Sequence, residues 1–414
     1  MERQTARPVT GADMFIGAAV LVLGTINLWK VTTLQNLSPV DLTLASLVVC
    51  LILTLGAFIG RKCRLQRNWT VCFTGFILFV PALFVTARDN SYSVSKTKAL
   101  FTICLLVIIA AMVLLETRGR RRSFIGASVF LALSVSIWLL VGGKPDVSTS
   151  GRFQIDDANP IAMGRVACIG VVVLALAVFR TRGWRLFVSL SGALICAVAS
   201  VSTGSRGPLA AAVVAIALVS LLTTTSKSRF ANFLTLIVLG VAGVVAVLQF
   251  APSSSLERLT AAGGGASDIY RLAIARDTFN LAFAHPLGVG YGELINYLSP
   301  NSISPIQGVV QYPHDILLET AAEGGILAFA GLLLMLITSW RRLRAHANDL
   351  VGQAMLGLWI FAFGSALTSG DLIGNRLVWL MLGAGLALPP IVRTTKKKGK
   401  SGARIQRSKM TELG

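Results

Sequence analysis

Apolar residues in this chain fall into long blocks separated by short polar breaks. Twelve such blocks are centred near residues 22, 50, 78, 106, 133, 170, 194, 216, 241, 332, 360 and 381. Each reaches the length of about 20 residues that a helix needs to cross a hydrocarbon layer roughly 30 Å thick. Strict apolar–polar alternation is not visible, and helices or closed barrels are the only structures that satisfy their backbone inside lipid. The pattern therefore predicts an all-α polytopic membrane protein of about 12 transmembrane helices. One break is far longer than the rest, and it divides the chain. Residues 1–250 form a nine-helix N-terminal membrane region, 251–325 a large loop, 326–392 three C-terminal spans and 393–414 a basic tail. No small-residue cleavage site follows the first apolar run, so residues 14–31 read as a retained span.

Composition agrees with this and charge orients it. Of 414 residues, 54% are hydrophobic and 14% charged, whereas soluble domains carry about a quarter charged residues. The net charge of +20 resembles a nucleic-acid signature until it is placed along the chain. Assigned to alternate sides, the 38 Lys and Arg divide into 26 on the side of the termini and 12 on the other. Because positive residues stay in the cytoplasm, both termini are expected there, with the 251–325 loop facing the periplasm. The tail run Lys396–Lys400 then faces anionic lipid rather than nucleic acid. Five of the six cysteines lie in spans and Cys63 in a cytoplasmic connection, which indicates neither a disulfide framework nor a zinc site. Charge is nearly absent from the middles of the spans, Arg165 being the deepest, and no internal repeat is visible. Both observations count against a secondary transporter. A transporter of lipid-linked glycans is kept as the non-enzyme alternative.

Candidate chemistry gathers on the outward side. Adjacent carboxylates at Asp156-Asp157 are either a divalent-metal site or a solvated loop tip. Ser205-Arg206-Gly207-Pro208 opens a span. Arg206 there either meets a phosphate at the helix N-terminus or anchors the helix at the interface. Within the large loop, Ser267 or Asp268 can cap an amphipathic helix that runs to about Ala284 and is stopped by Pro286. At 100° per residue Arg276 falls among Ile269, Leu272, Phe279 and Phe283, and Arg271 lies on another side. The helix is expected to lie on the membrane surface with its aromatic face toward lipid. Arg276 is a candidate phosphate ligand whose alternative is to snorkel toward headgroups. His285-Pro-Leu-Gly-Val-Gly-Tyr-Gly reads as a tight turn in which His285 is structural. Tyr312-Pro-His314 leads into a helix from Asp315 to Ala322, with Glu319 and Glu323 placed to orient the imidazole or simply to solvate the helix.

Ser205-Arg206-Gly207, then Arg271 with His285-Pro-Leu-Gly-Val-Gly-Tyr-Gly, then His314 with Glu323-Gly-Gly, occur in that order over roughly residues 200–340. Together they resemble the O-antigen ligase and polysaccharide polymerase superfamily of bacterial envelopes. The resemblance implies a GT-C-like membrane fold in the inner membrane. It also implies an enzyme that moves a glycan from undecaprenyl diphosphate to an acceptor sugar, such as a lipid A–core or a growing chain, with no metal, cofactor or nucleotide. Carried over, it makes Arg206 and Arg271 diphosphate ligands and His314 the catalytic base. Asp315 stands where the ligase motif has Asn, Ser or Gln. Ala328 closes that motif where Gly, Thr or Tyr is usual, and Ala275 replaces a frequent Trp. Ligase chemistry is the first expectation and polymerase the second.

Overall fold

A computed structural model describes residues 8–25, 41–59, 67–87, 89–146, 152–155, 158–223, 266–302 and 312–389. The apolar block near residue 241, the Asp156-Asp157 pair, Cys63 and the basic tail lie outside them. The other eleven blocks coincide with helices.

In chain order these are α1 (Gly11–Gly24), α2 (Leu42–Ile59), α3 (Arg67–Ile77), α4 (Ser91–Leu114) and α5 (Arg118–Gly142). After them come α6 (Pro160–Val178), α7 (Trp184–Ser202) and α8 (Arg206–Thr223). The loop helix α9 (Ala266–Ala284) precedes α10 (Ile316–Ala345), α11 (Leu350–Ala366) and α12 (Arg376–Leu386). Among the described residues, six helices (α4–α8 and α10) are long and apolar enough to cross a membrane, and α1, α2, α3 with the turn that follows it, α11 and α12 are shorter apolar helices. A short hairpin pairs Lys144–Asp146 with Arg152–Gln154 between α5 and α6.

Local chemistry sets the helix starts. Thr10 and Asp13 form a reciprocal capping box on α1. Asn90, Asn159, Asp315 and Asp349 each accept backbone N–H bonds at the heads of α4, α6, α10 and α11. Within α4 the ladder loosens into one π turn over Leu100–Cys104, a local widening often found near functional sites.

The core at one end of the bundle is aromatic. Phe76, Phe79, Phe101, Tyr291 and Trp379 pack ring against ring with centroids 5.8–6.4 Å apart. Tyr291 belongs to the loop after α9, is fully buried, and donates its hydroxyl to Phe79 O at 2.8 Å. The large loop is thus plugged into the bundle rather than hung over it. α9 packs on α10 through Ile274 and Ala282, while Ile269, Leu272, Phe279 and Phe283 stay uncovered by protein. That exposed stripe is the aromatic face expected to meet lipid.

The helix from Asp315 leads into the tenth span as expected, the two meeting at a kink at Gly325 (φ 72°, ψ −176°). One expectation needs correction: the apolar helices do bury charge, with Lys96 in α4 1% exposed and Glu319 and Glu323 in α10 0% and 1% exposed. The two glutamates read as a helix surface, and Lys96 was not singled out.

Candidate functional site

The kink in α10 explains the glycine-rich motif. At Gly325 the helix ladder is interrupted, and the segment after α9 supplies the missing partners. Val289 N–H donates to Ala322 O at 2.9 Å and Gly290 N–H to Glu323 O at 3.0 Å, while Ile326 N–H donates to Pro286 O at 2.8 Å. The two backbones approach so closely that only glycine fits. A Cβ on Gly288 would lie 2.4 Å from Glu323 O, and one on Gly325 2.4 Å from the Leu287 carbonyl carbon. Both glycines also have positive φ. Gly290 is closed in on its other side by Thr86, whose hydroxyl accepts from Tyr291 N–H at 3.0 Å. Glu293, buried just beyond, accepts from Ser93 and from Asn296 (2.6 Å). The motif therefore clasps α10 to the head of α4.

Inside that clasp lies the buried charge group. Lys96 Nζ is 2.5 Å from Glu319 Oε1 and 2.6 Å from Glu323 Oε2. Glu319 Oε2 accepts from Leu372 N–H at 2.8 Å, so the same carboxylate holds the α11–α12 loop. Neither Glu319 nor Glu323 is committed to His314, contrary to the expected orienting role. The reason is geometric: His314 precedes the cap residue Asp315 and so sits off the helix, whereas the two carboxylates, four residues apart, face α4 together.

His314 is the one non-glycine residue with positive φ (58°) among the described residues. A left-handed histidine costs on the order of 1–3 kcal/mol and persists only where its surroundings impose it. Pro313 is buried before it, and Asp315 behind it accepts from Leu317 N–H (2.8 Å) and Leu318 N–H (3.1 Å). The ring of Tyr312 stands edge-on at 4.6 Å. His314 Nδ1 is buried without a hydrogen-bond partner among the described residues. Burial, then the positive charges of Arg271 and Arg165, push the imidazole down to about 4, so it is neutral at pH 7. The same surroundings raise the Tyr312 phenol, chiefly by burial and next by Asp371.

The arginines sort by exposure. Arg271 is half-buried on the inner side of α9, close enough to act electrostatically on His314 and Tyr312. Arg276 is exposed on the side of Phe279 and Phe283. Its neighbour Asp277 anchors the following loop: Ser299 N–H (2.9 Å), Ser299 Oγ–H (2.6 Å) and Ser302 Oγ–H (2.7 Å) all donate to it. Burial alone would raise that carboxyl, but these bonds and Arg276 hold it below the usual range. Arg206 is the first residue of α8, exposed, after a turn made by Gly204 (φ 62°). Gly207 lies against Thr368, and Gly164 of α6 against Thr203 and Ser205. These contacts bring the Arg206 turn beside Arg165, whose Nη2 donates to Ser369 O at 2.5 Å. His285 is exposed at the end of α9, with its ring 5.4 Å from Tyr297. It accepts from Gly288 N–H through its carbonyl and stands as a turn residue.

The structure thus joins His314, Arg271 and Arg165, brings the Arg206 turn to the same loop, and leaves Arg276 and His285 outside. Sequence reasoning missed Lys96, Asp371 and Arg376. Nothing in the sequence marked Lys96: it shares one helical stripe with Ser93 and Leu100, and that the stripe is buried is seen only in the fold. Among the described residues no three His, Cys, Asp or Glu side chains gather as metal ligands would.

No curated protein matches the chain. Residues 191–333, from within α7 into α10, match the family described as O-antigen ligase, and this third of the membrane protein carries Arg206, Arg271 and His314.

Proposed function

We propose that the chain transfers a glycan from undecaprenyl diphosphate to an acceptor sugar hydroxyl at the outer face of the bacterial inner membrane, as an O-antigen ligase does. The observation that carries this reading is His314, its Nδ1 buried without a partner among the described residues and its backbone left-handed, beside Arg271 and Arg165 within the matched family segment. In the proposed reaction Arg206, Arg271 and Arg165 hold the diphosphate. The acceptor oxygen attacks the anomeric carbon, the carbon–phosphate oxygen bond breaks, and the acceptor proton passes to His314. Attack opposite the diphosphate inverts the anomeric centre. Guanidinium groups aimed at the leaving oxygen stabilise the charge that develops there, and a fixed arrangement does so without reorganisation.

Donor binding also tunes the base. Two cations beside His314 lower its proton affinity, and a diphosphate seated on them offsets that field. The imidazole then moves up toward the range where a base works best near pH 7. The exposed stripe of α9 and the basic tail are assigned to membrane lipid. The termini are placed in the cytoplasm and the 251–325 loop outside.

The test uses purified protein supplied with undecaprenyl-diphosphate glycan and a lipid A–core acceptor. Free undecaprenyl diphosphate and acceptor-linked glycan of inverted configuration are expected, unchanged by EDTA. Glycan that crosses a vesicle membrane with its length and attachment intact would instead establish a transporter. The second enzymatic reading, a polymerase, is favoured by Asp315 and Ala328 at the two motif positions noted above. A product that remains lipid-linked and grows by repeat units would establish it.

A further inference from the structure

At the His314 end of the bundle, α1, α6, α11 and α12 leave between them a cavity of about 50 Å³. Its wall is apolar along Ile169, Phe361 and Val378, and polar at Arg165, Ser365 and Arg376. Arg165 Nε, Arg376 Nε and Ser365 Oγ are each buried without a hydrogen-bond partner among the described residues, and Ser365 is only 3% exposed. Leaving such groups unpaired is unfavourable. Two guanidinium donors and one hydroxyl converging on a small space call for an anion rich in acceptors. A water occupies about 10–15 Å³ on this measure, so the space suits the four oxygens of a phosphate. Arg376 is also the first residue of α12, whose leading N–H groups favour an anion. Asp371 is nearby and offsets one of the two positive charges, with its Oδ1 already accepting from Gly374 N–H at 2.8 Å. One positive charge remains in excess. The apolar side of the wall suits the alkyl ester of a phosphate better than the free ion.

We propose that this cavity binds the lipid-side phosphate of a polyisoprenyl phosphoester. With the function proposed above, on which this assignment rests, that lipid is the donor. Arg165 joins the two places, because its charge acts on His314 while its Nε lines the cavity. The sugar-side phosphate then lies toward Arg271 and the lipid-side phosphate toward Arg376.

Binding of four probes to the purified chain, measured without acceptor, tests this: undecaprenyl diphosphate, undecaprenyl monophosphate, phosphatidylglycerol and inorganic diphosphate. Arg376→Gln and Ser365→Val should each weaken both undecaprenyl lipids about tenfold, the loss expected for one hydrogen bond to a charged group. Inorganic diphosphate should bind the wild type at least about a hundredfold more weakly than the lipid form. If Arg376→Gln melts below wild type, Ser365→Val carries the comparison. Wild-type affinity for both undecaprenyl lipids in both variants overturns the proposal. Equal, Arg376-dependent binding of phosphatidylglycerol also overturns it, by making the cavity a site for bulk lipid. Failure of the transfer reaction itself appears separately, as absent turnover with Arg376-dependent binding intact.

Discussion

Replacing Lys96 by Met should be among the most damaging changes available in this chain. The ammonium is 2.5 and 2.6 Å from two carboxylate oxygens, with the three side chains 1%, 0% and 2% exposed. Without it, two carboxylates remain side by side in a dry space with no cation. Breaking a buried pair in this way typically costs about 3–5 kcal/mol, a loss of roughly 3–6 °C in melting temperature at about 1.2 °C per kcal/mol for a chain of this length. The effect should not stay local. Glu319 also holds Leu372 N–H, and the Glu323 carbonyl holds Gly290. The loop carrying Asp371 and the glycine clasp would therefore loosen together, and turnover should fall with stability. The assay is thermal unfolding in detergent of Lys96→Met, Glu319→Gln and the triple variant Lys96→Met/Glu319→Gln/Glu323→Gln. Glu319→Gln keeps a balanced Lys96–Glu323 pair and should lose less than Lys96→Met. The triple variant, free of unpaired charge, should recover most of the loss. Melting of Lys96→Met within about 2 °C of wild type, or no recovery in the triple variant, would refute the reasoning.

The remaining expectations concern the loop and pH. Arg271→Lys should lose most transfer activity, since a point charge does not replace a two-pronged donor, whereas Arg276→Lys should stay near wild type; steady-state kinetics of the two variants decide this, and the reverse order would mean that α9 presents its other face. Gly288→Ala should unfold the clasp, because its Cβ would meet Glu323 O at 2.4 Å and its φ is 84°, while His285→Ala should leave turnover within about twofold. Because the folded His314 sits near 4 rather than 6.5, the unfolded chain binds the extra proton as pH falls. Stability on this account declines from about pH 6.5 down to about 4, by up to about 3 kcal/mol, and His314→Ala should flatten that slope in melting curves. Cysteine labelling at the exposed Asn280 of α9 and at Ser401 in intact cells should reach the first and not the second; the opposite result reverses the orientation.

Much of this architecture was legible because it rests on local properties. Apolar blocks located eleven helices, although three of them, α1, α3 and α12, are 14, 11 and 11 residues long rather than about 20, and the 100° wheel of α9 already separated Arg271 from the aromatic stripe. His285-Pro-Leu-Gly-Val-Gly-Tyr-Gly read as a turn because four of its residues are glycine or proline. Its partner did not show, since the carbonyls it caps are freed only by the kink at Gly325. Lys96 was hidden for a related reason. A lysine at a span entrance ordinarily snorkels to the interface, and Lys98, two residues on, is exposed. Only the fold brings Glu319 and Glu323 against Lys96 instead. Asp371 and Arg376 sit five positions apart in a stretch with no motif of its own, and their relevance comes wholly from what packs beside them.

The central claim is that His314 takes the acceptor proton. The most direct measurement is turnover of purified His314→Ala against wild type, with undecaprenyl-diphosphate glycan and acceptor saturating and donor affinity measured in parallel. General-base contributions are typically 10²–10⁴-fold. The account predicts a fall of about that size in kcat, with folded yield and donor affinity retained. Wild-type turnover by His314→Ala at equal folded concentration would contradict it.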